Sequence, residues 1–70
     1  VVFYAMALEP AEALALVEGL TPTRVWQAGL SPATPIVEEY EIERTGARVQ
    51  IGYDSFDPST RVPVGAWLYR

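Results

Sequence analysis

The stretch from Val37 to Tyr53, VEEYEIERTGARVQIGY, constrains the fold more than any other part of this chain. Before Thr45-Gly46, apolar Ile36, Tyr40 and Ile42 alternate with acidic Glu39, Glu41 and Glu43. After it, Ala47, Val49, Ile51 and Tyr53 continue the apolar set, with Arg48 and Gln50 between. Successive side chains of a strand point to opposite faces, so this pattern on both sides of a turn predicts a β-hairpin with one apolar and one wet face. A two-residue Thr45-Gly46 turn would set Glu43 against Arg48, Ile42 against Val49, Glu41 against Gln50 and Tyr40 against Ile51. A one-residue slip would mix the faces, so the pattern selects against it. Thr-Gly is not the Asn-Gly favoured in the tightest hairpins, and a longer turn with a glycine bulge is the alternative. Glu38 breaks the alternation, because its parity turns a carboxylate toward the apolar side.

The flanking segments complete one small domain over residues 1–70. Val1 to Ala7 is a continuous apolar run, which fits a buried strand. Pro10 suits a first helical turn, with Glu9 and Glu12 near the positive end of the helix dipole. The following Ala/Leu/Glu-rich run closes on Gly19, which predicts a helix of about three turns with Ala13, Leu16, Val17 and Leu20 on one face. Thr23 to Ala28 reads as a short strand. Gly29 to Pro35 is a connection in which Ser31-Pro32 suits a single capped helical turn. Asp54 to Thr60 is a loop, with Asp57-Pro58 suited to a type I turn. Val62 to Tyr69 is a last strand, and Pro63 within it marks an edge or a bulge. The expected fold class is therefore α+β with order β-α-β-β-β-β: two layers, one helix packed on a mostly antiparallel sheet of about four to five strands.

Composition narrows function mainly by exclusion. The chain has no cysteine and no histidine, which removes disulfides, thiolate or imidazole metal sites and the commonest general base. No nucleophile adjoins a base and no glycine-rich phosphate loop is present, so no enzyme, no cofactor and no metal are expected. A net charge of −4 argues against nucleic acid or an anionic membrane as partner. No apolar run reaches membrane-spanning length and no signal core opens the chain, so cytoplasmic is the default location. So short a chain buries only about 60% of its unfolded surface, which makes a protein partner or self-association the expected source of further stability.

Candidate partner-binding residues fall into two groups. The ladder Glu39, Glu41 and Glu43, with Arg48 beside it, is either a partner-reading surface or a solvated strand face that discourages aggregation. Trp26, Trp67, Tyr69 and Tyr4 are many large aromatics for one small core. The plain expectation is that they form that core. A single helix can hardly cover them all, however, and aromatics with arginine are enriched at binding hot spots. Asp54, Ser55 and Asp57 lack calcium-loop spacing and read as turn caps.

Gly19, Leu20, Pro22, Thr23, Trp26 and Gly29 form a G-L-x-P-T-x-x-W-x-x-G segment. It resembles the opening of an uncharacterised bacterial domain family, over about the first third of the chain. The resemblance implies a strand and helix leading into a strand anchored by Trp26, and no activity. The functional expectation is a small, soluble, non-catalytic protein-binding module of inhibitor, immunity or accessory type. Alternatives are a structural subunit of a larger assembly such as a phage particle, or small-molecule or peptide binding at an aromatic surface.

Overall fold

The computed structural model describes residues 5–27 and 34–70. Its elements are β1 (Ala5–Leu8), α1 (Pro10–Leu16), β2 (Arg24–Gln27), β3 (Ile36–Ile42), β4 (Ala47–Tyr53) and β5 (Pro63–Tyr69). The five strands form one antiparallel sheet in the order β1-β5-β4-β3-β2. The described residues are mostly sheet with one short helix, which is compatible with an α+β class. Val1 to Tyr4, Gly29 and Ser31-Pro32 lie outside the described residues.

The central hairpin keeps the expected faces but not the expected register. Ile42 pairs with Ala47, Glu41 with Arg48, Tyr40 with Val49, Glu39 with Gln50 and Glu38 with Ile51. The turn is Glu43 to Gly46, closed by the Thr45 and Gly46 amides donating to the Ile42 carbonyl at 3.1 and 2.8 Å. Gly46 takes φ 71°, the left-handed conformation that ends such a turn. Two more residues in the turn move every partner by two positions, and a shift of two leaves each side chain on its own face. Glu43 therefore lies in the turn, and Glu41 takes its place opposite Arg48.

The helix is shorter than its composition suggested. It spans Pro10–Leu16, and the Val17 amide closes it by donating to the Ala13 carbonyl at 3.2 Å. The Leu20 amide then bonds to the Val17 carbonyl, and Gly19 adopts φ 79°. Leu20 is thus past the helix, where helical periodicity no longer places it. Ala13 and Val17, one turn apart, are the pair that packs inward, while Leu16 and Leu20 stay 49% and 44% exposed.

Ala13 of α1 and Val17 just after it belong to one buried cluster with Tyr40, Val49, Ile51, Tyr53 and Ala66 of the sheet, with Leu8, Ile36, Ile42 and Leu68 at its margin. Val49 and Ile51 are fully buried, each contributing about 1.5–3 kcal/mol. Pro63 sits at a bulge, where the β4–β5 register shifts next to Tyr53. The loop between β4 and β5 is held by its own side chains. Asp57 accepts the Ser59 amide and hydroxyl at 2.9 and 2.7 Å, and Asp54 accepts the Val62 amide at 2.8 Å. Ser55 accepts the Asp57 amide at 3.2 Å, so all three side chains cap turns.

Candidate functional site

The sheet face away from α1 carries most of the candidate residues. Directly opposed residues of an antiparallel pair share a face. Trp67 stands opposite Gln50, and Gln50 opposite Glu39, which in turn faces Arg24. In the next row Tyr69 faces Arg48, and Arg48 faces Glu41. On the other side Trp26 faces Val37, which continues to Gly52 and Gly65. The three aromatics are half-buried, and none belongs to the buried core. Tyr4 is not among the described residues. Of the acidic ladder, Glu39 and Glu41 share this face and Glu43 does not.

Two glycines make room for an aromatic ring on this face. Gly52 and Gly65 are cross-strand neighbours, and the Trp67 ring lies over them. A Cβ on Gly65 would come within 3.0 Å of the Trp67 Cη2, and one on Gly52 would run into the Thr34 methyl. One side of the indole therefore lies against bare backbone.

The polar groups on the face are positioned by local contacts. The Arg24 guanidinium stacks on Trp26, 4.1 Å from the ring centroid. Gln50 donates its Nε2 to Glu39 Oε1 at 2.9 Å, fixing that carboxylate. Arg48 and Glu41 are in register but form no ion pair; the one among the described residues joins Arg61 to Glu38. Arg24 and Gln50 were not singled out from sequence. The Arg24-x-Trp26 spacing, period two on a strand, was the signal for the first.

On the core face, the odd carboxylate Glu38 is buried. It accepts Arg61 Nη1 and Nη2 at 3.0 and 3.2 Å and the Tyr40 hydroxyl at 2.9 Å. The Arg61 guanidinium also lies 4.0 Å from the Tyr53 ring centroid. Burial, then the Glu38 hydrogen bond and charge, push the Tyr40 phenol well above its ordinary range. Tyr53 is raised too, by burial and then by the Glu38 charge. For Arg61, burial works against the charge, but the Glu38 bonds and charge outweigh it and hold its pKa up. Every buried side-chain polar atom among the described residues has a partner. Such a closed network ties the loop before β5 to β3 through Arg61 and Glu38.

Among the described residues no cluster of carboxylates is placed to hold a metal, and no helix is long and apolar enough to cross a membrane. Comparison with protein-family models, with curated proteins and with solved structures finds no match to this chain in any of the three.

Proposed function

We propose that the chain is a small, non-catalytic protein-binding module of inhibitor, immunity or accessory type, whose partner docks on the sheet face opposite α1. The observation that carries the reading is the gathering of Trp26, Trp67 and Tyr69 with Arg24 and Arg48 on that one face. Large aromatics and arginine carry most of the energy at protein interfaces, because they bury much area at little entropic cost. The flanking Glu39 and Glu41 balance the two arginines, so the face suits a partner of mixed charge. Two layers, with the helix on one side, would leave this side free.

The alternative of a structural subunit needs strand edges that pair between chains. Among the described residues each edge strand spans four, Ala5–Leu8 and Arg24–Gln27, a short ladder for pairing between chains.

The test is recovery of the tagged chain with its partner from its native cells, repeated with Tyr69→Ala and with Arg48→Glu. Loss of the same partner from both variants, with the purified chain a monomer or dimer by light scattering, is expected. A partner retained by both variants would sink the reading, and growth to larger assemblies with concentration would favour the subunit.

A further inference from the structure

A groove of about 550 Å³ lies between the end of α1 and the hairpin end of β3. Leu16, Leu20 and Ile42 supply its apolar surface, and Glu18, Glu41 and Glu43 its carboxylates, with Arg44 at the hairpin. Its size is in the ordinary range for ligand sites, about 300–1,000 Å³.

The groove also contains a free strand edge. β2 accompanies β3 only from Ile36 to Glu39, and the last bond runs from the Thr23 amide to the Glu39 carbonyl at 2.8 Å. Backbone groups alternate sides along a strand, so Glu41, two residues on, points the same way as Glu39. The Glu41 N–H and C=O therefore face the groove, beyond the end of β2, with no strand opposite them among the described residues.

We infer that this groove binds a short extended segment of a partner polypeptide that carries lysine or arginine, added to the β3 edge at Glu41. Backbone bonds to Glu41 would set its direction, and an apolar side chain would fill the space between Leu16, Leu20 and Ile42. Its basic side chains would meet Glu18, Glu41 and Glu43, none of which forms an ion pair among the described residues. Charge complementarity selects this occupant over a second copy of the chain. Two β3 edges paired antiparallel would set glutamate against glutamate, and like charges directly opposite are destabilising. Glu41 borders both sites, but Trp26, Trp67 and Tyr69 lie on other strands, and the inference does not rest on them.

The test is amide chemical-shift mapping of the whole chain with acetyl-Lys-Val-Arg-Val-Lys-amide as probe. Shifts are expected at Leu20, Thr23, Glu41 and Ile42. Glu18→Gln and Glu43→Gln should each weaken binding about two- to fivefold, the range of an exposed charge pair. Raising salt from about 0.05 to about 0.3 M should weaken it further. N-methylation of the central peptide nitrogen should abolish it, whereas Tyr69→Ala should leave it unchanged. The inference is overturned if no shift appears at about 1 mM peptide. It is equally overturned if the N-methylated peptide or a glutamate-for-basic version binds as well, or if the shifts fall around Trp67 and Tyr69.

Discussion

Replacing Arg61 by methionine isolates what the buried ion pair does for the fold. Glu38 is 7% exposed, and its side chain has three partners: the two Arg61 nitrogens and the Tyr40 hydroxyl. Arg61→Met removes two of the three and leaves a buried carboxylate held by one phenol. Breaking a buried pair from one side costs about 3–5 kcal/mol. The Arg61 side chain is 23% exposed, so water reaches the site and the lower end, about 3 kcal/mol, applies. At about 0.05–0.15 kcal/mol per residue, a chain this size has only about 4–10 kcal/mol in total. With a urea dependence near 1 kcal/mol per M, the midpoint should drop by about 3 M.

The cause assigned to that loss is testable separately from its size. In the double variant Glu38→Gln/Arg61→Met, no charge is left buried and Tyr40 keeps an acceptor. Removing both charges of a buried pair is often close to neutral, so the double variant should recover about 1–2 kcal/mol over Arg61→Met. The assay is urea unfolding followed by tryptophan fluorescence for all four members of the cycle. A single-variant cost below about 1 kcal/mol, or a double variant no more stable than Arg61→Met, would refute the stranded-charge account.

Gly46→Ala should destabilise by about 1–2 kcal/mol, because its φ of 71° is strained for any residue with a Cβ although no atom lies within 4 Å of one. Gly46→Asn should cost less, and a thermal melt that ranks alanine at or above asparagine would remove the left-handed turn as the reason. Alkaline pH should also weaken the fold. Tyr40 and Tyr53 hold their protons above the ordinary phenol value of 10.0, first through burial and then through Glu38. The unfolded chain gives up those protons first, so stability is complete below about pH 10 and falls above it, by up to about 1.4 kcal/mol per pH unit for each tyrosine. Tyr40→Phe should flatten that fall between pH 10 and 11 in urea titrations, and an unchanged slope would contradict it.

How much of this was legible depends on which physical constraint decided each feature. Alternation is a parity signal, so it placed Tyr40, Ile42, Val49 and Ile51 on one face and Glu39, Glu41 and Arg48 on the other. Parity is blind to a shift of two, and only the conformation of Glu43 to Gly46 separates the expected partners from the observed ones. The helix end was set by the turn at Val17 to Gly19, which overrode good helix formers on either side. Glu38 was visible as an exception, but its partner Arg61 is distant in sequence and sits in a loop with no periodicity. The capping roles of Asp54, Ser55 and Asp57 were readable because they are local hydrogen bonds.

The placement of the tryptophans follows from a choice the last strand leaves open by itself. In β5, Ala66 and Leu68 have one parity and Gly65, Trp67 and Tyr69 the other, and both sets contain apolar residues. Helix α1 resolves it, since Ala66 is buried in one cluster with Ala13 and Val17, and Leu68 packs against that cluster. The bulkier set must then face away, onto the same side as the wet face of the hairpin. Gly52 and Gly65 let the Trp67 ring lie down against backbone, which covers one side of the indole. A rigid ring with little freedom left to lose is what makes an aromatic an effective anchor for a partner. The burial of Ala66 beside α1 on one face thus turns Trp67 and Tyr69 to the other.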